Sequence, residues 1–328
     1  MPTFISKSGK SSKGAIHSSV SHNETQLPNE HKFKVEDPKW VWDEVILDSK
    51  VKEAVDDAII FCDKKDELVE QYELDSFLKG SSSVGINLYG ESGTGKSITA
   101  EAIANSLGRK IIKVDYSEIQ DSKWGATEKN LTQLFKTAEQ EGAVIFLDEA
   151  DGLLSKRSTT VSSTSEASNG IKAHLLTLID RSNVIIIYAT NLFRNFDSAF
   201  YRRILFHISY PMPKASELEK LWKFHIDKLP KDEQNFSYET IARLSEGYIA
   251  GGDIKNITMR LCVKLAAHKI NALTNECVNE EIDRTKQSKM DSQGLSRESG
   301  SNKVRSMDVL EQTSAKLAEE NIQVTSKN

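Results

Sequence analysis

The octapeptide Gly90-Glu91-Ser92-Gly93-Thr94-Gly95-Lys96-Ser97 constrains this chain more than any other stretch. It follows the strand-like run INLY (86–89) and opens the amphipathic segment SITAEAIANSLG (97–108). G-x-x-x-x-G-K-[ST] between a strand and a helix is a phosphate-cradling loop. Gly90, Gly93 and Gly95 can take backbone conformations closed to other residues, so the loop can aim its N–H groups at phosphate oxygens. Glu91, Ser92 and Thr94 complete that backbone, and the helix N-terminus behind it adds partial positive charge. Lys96 is the expected partner of the β- and γ-phosphates and Ser97 the expected ligand of Mg²⁺. Such a loop belongs at the C-terminal edge of a parallel sheet.

The rest of the chain supplies that sheet. VGINLY (84–89), KIIKVD (110–115), AVIFLDEA (143–150), NVIIIYAT (183–190) and LFHISYP (205–211) read as buried strands, with helical stretches such as EKNLTQLFKTAEQE (128–141) between them. The alternation predicts a parallel sheet covered on both faces by helices. After Pro211 and Pro213 the strand pattern stops. KASELEKLWKFHIDKL (214–229), SYETIARLSEG (237–247) and GDIKNITMRLCVKLAAHKINAL (252–273) read as helices.

The expected organisation is a disordered tail over 1–36, with order beginning at WVWDEVILD (40–48), then a large α/β domain over 37–210 and a small all-helical lid over 211–328. Within the lid, 279–303 reads as a loose polar excursion and 304–320 recovers a helical period. The Ser/Thr-rich stretch 159–170 reads as a loop. The fold class is an α/β, parallel-sheet P-loop NTPase core followed by a helical lid.

Composition narrows the setting. Hydrophobic residues at 38% and charged residues at 28% fit a soluble chain with a real core, and a net charge of -5 gives no support to coating nucleic acid. Cys62, Cys262 and Cys277 form no C-x-x-C pair, which suits free thiols in a reducing cytoplasm. No apolar run approaches the ~20 residues of a membrane span.

Further polar residues fall where such a sheet binds ligands. VIFLDEAD (144–151) is an apolar strand ending in carboxylates, and carboxylates at the C-terminal end of a parallel strand face the ligand crevice. On a strand beside the phosphate-loop strand, Asp148 would hold Mg²⁺ and Glu149 would act as general base on the attacking water. Asn191, at the end of VIIIYATN on the strand next to the acidic one, could hydrogen-bond the γ-phosphate or that water. FDSAFYRRI (196–204) carries Arg202 and Arg203, which could stabilise transition-state charge in a neighbouring copy. The string Asp-Glu-Ala-Asp also occurs in helicases, but the second, helical region does not match a second sheet domain. No N-K-x-D guanine reader is present.

Taken in order, these segments resemble an AAA+ ATPase of the extended AAA family over about 37–275, with the helix at 304–320. The carriers are WVWDEVILDSKVKEAV (40–55), GESGTGKS, KWGATEKN (123–130), VIFLDEAD, ATN (189–191), DSAFYRR (197–203) and GYIAGGDIKN (247–256). The resemblance implies ATP and Mg²⁺ as cofactors and a homohexameric ring. It implies a pore loop in which Lys123, Trp124 and Gly125 grip a protein substrate, and it puts Gly251 and Gly252 where the lid approaches the adenine. No sensor-2 arginine is assigned. The short tail implies that targets are chosen by an adaptor, by the tail, or by direct capture, with no nucleic acid or membrane partner. SKW followed by EK resembles both katanin-type severing enzymes and AAA+ remodellers of HORMA-domain proteins, including compact bacterial forms found beside antiviral signalling enzymes. The alternative reading is a nucleotide-dependent assembly scaffold or clamp-loader-like nucleic-acid machine.

Overall fold

A computed structural model describes residues 33–74, 83–119, 125–156, 163–191 and 196–292. A long helix α1 (Ser49–Gln71) leads into β1 (Val84–Gly90), α2 (Lys96–Ser106), β2 (Ile111–Asp115), the short α3 (Tyr116–Ile119) and α4 (Ala126–Glu141). Next come β3 (Val144–Asp148), the short α5 (Asp151–Leu154), α6 (Ser163–Arg181), β4 (Ile185–Thr190), the single turn α7 (Ser198–Tyr201) and β5 (Ile204–Tyr210). Four helices follow: α8 (Ala215–Ile226), α9 (Tyr238–Ser245), α10 (Gly251–Ala266) and α11 (Asn275–Ser292).

The five strands form one parallel sheet in the order β2-β3-β4-β1-β5. Alternate residues of each strand face opposite layers. Ile145 and Leu147 of β3 pack with Leu131, Leu134 and Phe135 of α4 and Leu175 and Ile179 of α6. Val144 and Phe146 pack with Val51 and Val55 of α1 and Ala100 and Ile103 of α2. Both faces are therefore dry, which explains why the strands read as continuous apolar runs. The α/β parallel-sheet core with a helical C-terminal region is thus observed. The strand order corrects one expectation. β1 and β3 are not neighbours, because β4 runs between them, and this puts Asn191 between the phosphate loop and the acidic strand end.

The C-terminal helices share a separate apolar core of Leu218, Trp222, Ile226, Ile241, Ile257, Leu261, Val278 and Ile282. Trp222 is fully buried and its Nε1–H donates to Ser245 Oγ at 3.0 Å.

Three other expectations change. Order begins before Trp40: Phe33 is buried in the sheet core, and Glu36 exchanges two 2.9 Å backbone hydrogen bonds with Ile111. One buried aromatic among polar neighbours gives no periodicity, so the sequence hides this contact. Residues 279–292, read as a loose excursion, belong to α11. That helix turns Cys277, Val278, Glu281 and Ile282 inward, and the buried Glu281 carboxylate meets Arg260 Nε at 2.6 Å and Lys264 Nζ at 2.9 Å. An inward face partly made of an ion pair looks polar in sequence. Residues 163–170, read as a loop, form the start of α6; Ser and Thr carry only a few tenths of a kcal/mol of helix disfavour each, roughly, which packing of the later turns outweighs. Residues 1–32 and the expected helix at 304–320 lie outside the described residues.

Trp222→Ala should destabilise the helical region by about 3–5 kcal/mol, because a large buried ring and its hydrogen bond are lost together. Denaturant unfolding followed by circular dichroism measures this; a loss below ~1 kcal/mol would contradict the packing described.

Candidate functional site

The phosphate loop leaves β1 at Gly90 with φ +148°. A Cβ there would lie 2.2 Å from the Tyr210 carbonyl oxygen of β5, so only glycine fits between the two strand ends. The loop then folds over the Lys96 side chain. Lys96 Nζ donates to the carbonyls of Gly90 (2.6 Å) and Glu91 (2.8 Å) and to Asn191 Oδ1 (2.8 Å). Burial lowers the ammonium pKa, while Asp148, Asp151 and Glu91 act in the opposite sense. Thr94 Oγ1 donates to the Glu91 carbonyl at 2.8 Å and shapes the loop tip.

Ser97, in the first turn of α2, donates its hydroxyl to Asp148 Oδ2 at 3.2 Å. The other oxygen of Asp148 accepts the Glu149 N–H at 2.9 Å. Glu149 itself has φ +49°, a left-handed conformation that a non-glycine residue adopts only where its surroundings impose it. Part of the cause is Asp151, a residue given no role by sequence reasoning. Its Oδ1 accepts from Thr190 Oγ1, and its Oδ2 accepts the Asn191 N–H at 3.4 Å. Together with Ala150 N–H donating to Ala189 O at 3.0 Å, these bonds tie the end of β3 to the end of β4. The helicase-like fourth letter of the string is thus a brace for Asn191.

A cavity of ≈ 680 Å³ opens above the loop. Ser92, Gly93, Lys96, Ser97, Asp148, Glu149 and Asn191 line one side. Trp40, Leu47 and Asp48 of the leading segment line another, and Leu221, Phe224, His225, Gly251, Gly252 and Lys255 of the helical region close it. The loop and strand ends supply the polar groups of the lining, and the leading segment and helical region supply the aromatic and aliphatic ones, a combination that suits a nucleotide. Sequence reasoning missed the aromatic part of this lining. Phe224 and His225 sit in an ordinary amphipathic helix, and only the tertiary fold turns them to the cavity. Burial lowers the His225 pKa, and the nearby Lys255 charge adds to it. Asp48 caps α1 and also meets Lys214 Nζ at 2.8 Å, joining the leading segment to the start of α8.

Gly251 and Gly252 meet the phosphate loop itself. Gly252 N–H donates to Gly93 O at 3.0 Å, and a Cβ on Gly252 would approach Gly93 Cα to 3.1 Å. The helical region thus touches the loop backbone directly at Gly252.

Arg202 and Arg203 do not line the cavity. Arg203 Nε and an Nη donate to the two carboxylate oxygens of Asp180 at 2.8 and 2.9 Å, and its other Nη donates to Ala199 O at 3.1 Å. This bidentate pair raises its pKa further. Arg202, exposed, has Nε 3.3 Å from Ser198 O. Lys123 and Trp124 lie outside the described residues. Gly125, with φ +72°, caps the start of α4.

Gly252→Val should separate the helical region from the loop and weaken binding of a fluorescent ATP analogue by about tenfold or more, measured by anisotropy. Unchanged affinity would mean that the Gly93–Gly252 contact plays no part in holding the ligand.

Residues 86–212 match the family model described as "ATPase family associated with various cellular activities (AAA)". The chain is 30% identical over 268 residues to "Vacuolar protein sorting-associated protein 4" of Dictyostelium discoideum, covering 77% of this chain and 57% of that protein. It is 31% identical over 199 residues to "Cell division cycle protein 48 homolog" of Archaeoglobus fulgidus, covering 58% and 26% respectively. With "Cell division protein C" of Sulfolobus acidocaldarius the identity is 29% over 240 residues, covering 70% and 61%. The chain therefore spans less than two thirds of each of these relatives. No helix among the described residues is long and apolar enough to cross a membrane. Residues 86–212, which match the AAA family model, hold a phosphate loop after an interior parallel strand, an acidic strand end two strands away and an asparagine at the end of the strand between them.

Proposed function

We propose that this chain is an ATP-driven protein remodeller, a homohexameric ring that draws a partner protein past Trp124. The observation that carries this reading is the meeting of Lys96, Ser97, Asp148 and Asn191 at one rim of a nucleotide-sized cavity, with Glu149 beside them.

Ser97 Oγ and Asp148 Oδ2 are hard oxygen donors 3.2 Å apart, a pair that fits Mg²⁺ with its remaining places left to water and phosphate. The bound ion would neutralise charge on the β- and γ-phosphate oxygens. Lys96 would exchange its loop carbonyls for phosphate oxygens, and backbone N–H groups of Glu91 to Ser97 would surround the phosphates. Glu149 accepts the proton of the attacking water. Asn191, braced by Asp151, orients that water or the γ-phosphate. Phe224, His225 and Trp40 offer a wall for the base.

Arg203 is committed to Asp180 in its own chain, so Arg202 is the arginine offered to the next subunit's phosphate. A side chain supplied from a neighbour implies head-to-tail contacts, which form a ring or a filament; the ring is the form we favour. Trp124 presents a large flat surface that grips polypeptide without reading its sequence. The partner class we favour is a HORMA-domain protein in bacterial antiviral signalling, met directly or through an adaptor in the cytoplasm; the support is the likeness of SKW…EK stated above. The domain division we adopt is the tail, the large domain and a lid starting after Tyr210.

Glu149→Gln should bind ATP, stabilise the assembly and lower phosphate release by roughly 10²-fold or more; normal hydrolysis would make the general-base assignment wrong. Affinity capture with that variant should retain the partner. Trp124→Ala should lose both remodelling and the stimulation of ATPase by an unstructured polypeptide. Stimulation by DNA in its place would favour the clamp-loader-like reading.

A further inference from the structure

A row of polar side chains crosses the otherwise apolar face of the sheet at one level. Tyr188 of β4, Asn87 of β1 and His207 of β5 are register partners, Asn87 pairing with both. Asn87 and Tyr188 are fully buried. Asn87 Nδ2 lies 3.4 Å from His207 Nδ1, and His207 Nε2 lies 3.2 Å from the Tyr201 carbonyl oxygen. A carbonyl only accepts, so Nε2 carries the ring hydrogen and Nδ1 is the acceptor for Asn87. The His207 ring also stacks on Tyr201 at 4.4 Å and meets Phe196 edge-on at 5.9 Å. Burial lowers the pKa of this imidazole, while the Tyr201 carbonyl acts in the opposite sense.

Packing alone does not explain the row. Asn87 Oδ1 and Tyr188 OH are buried without hydrogen-bond partners among the described residues, and an aliphatic residue at 87 would remove one of those penalties. Asn87 meets the nitrogen of His207 that the Tyr201 carbonyl leaves as acceptor, and so bears on the tilt of the ring. His207 in turn holds the carbonyl of Tyr201, the residue directly before Arg202. The element it holds is weak by itself. α7 is one turn long, capped by Asp197 Oδ1 accepting from Ala199 N–H at 2.8 Å and anchored by the buried Phe200. An isolated turn has little stability of its own. The 201–202 peptide sets the direction in which Arg202 leaves the surface.

We infer that His207, oriented by Asn87, is a positioning residue that holds the Tyr201 carbonyl and so aims Arg202 at the nucleotide of the next subunit. This rests on the reading that Arg202 acts across an interface. Both supports sit on strands of the chain that lends the arginine, so the defect from losing them belongs to the lending subunit and not to the subunit that binds the nucleotide.

The test is steady-state hydrolysis by the full chain, alone and mixed with Lys96→Ala chains, which keep an intact α7 but should not bind nucleotide productively. His207→Leu should lower kcat by roughly tenfold or more, since small misplacements of a catalytic group have effects of that order. KM for ATP should stay within about twofold. Mixing with Lys96→Ala chains should recover much of the lost rate, because the neighbour then brings a correctly aimed arginine. His207→Gln, whose amide can donate to the Tyr201 carbonyl, should retain most of the rate. Asn87→Leu should raise the melting temperature yet lower kcat, with recovery in the same mixture; it also serves if His207→Leu does not fold.

Parent-like kcat in both His207→Leu and Asn87→Leu overturns the inference. So does a loss that mixing fails to recover while the loss in Arg202→Ala is recovered. Parent-like hydrolysis by Arg202→Ala, or an Arg202→Ala defect that no mixture recovers, overturns the cross-subunit reading first and this inference with it.

Discussion

The Lys96 ammonium is the tie on which the rest of the site depends. It joins the end of β1 through Gly90, the loop through Glu91 and the end of β4 through Asn191. An ammonium taken out of water must be fully partnered, or it is strongly disfavoured. Three oxygen acceptors meet that demand, and in doing so they fix where two strand ends and one loop stand relative to each other. The same acceptors are ones that phosphate oxygens can replace, so in the proposed function the cation that organises the loop also reads its ligand.

Around that tie the structure uses short contacts between elements far apart in sequence. Asp151 braces Asn191, Gly252 rests on Gly93, and Asp48 reaches Lys214. The last two join the helical region to the phosphate loop and to the leading segment, through one backbone hydrogen bond and one ion pair. Neither is a large apolar interface. The Asp48–Lys214 pair, with Lys214 mostly exposed, is the weaker kind of ion pair in water. A ligand filling the cavity would add contacts to both regions at once, which is how occupancy of the cavity could be transmitted to the helical region. The two arginines divide along similar lines: Arg203 spends its guanidinium on Asp180, while Arg202, one residue earlier, faces outward.

The phosphate loop and both strand-end motifs were legible in the sequence because each depends on local chemistry. Glycines with positive φ, a lysine and a hydroxyl at set spacing, and carboxylates closing an apolar run carry their meaning within eight or nine residues. The five strands and most helices were legible for a related reason: burial on two faces leaves continuous apolar runs, and amphipathic helices leave a 3.6-residue period. Where burial is polar or solitary the pattern fails. Phe33 is one aromatic in a polar stretch, and α11 turns Glu281 inward against Arg260 and Lys264.

Sequence by itself determined that this chain would build a parallel sheet with a phosphate loop at its edge, and which residues would stand at the strand ends. Tertiary structure alone decided the strand order that sets Asn191 between the loop and Asp148, the choice of Arg203 for an internal pair, and the wall formed by Trp40, Phe224 and His225. The reason is physical. Backbone conformation and hydrophobic period are properties of neighbours along the chain, whereas a strand's place in a sheet and a side chain's partner across a cavity are settled only when distant segments compete for the same surface.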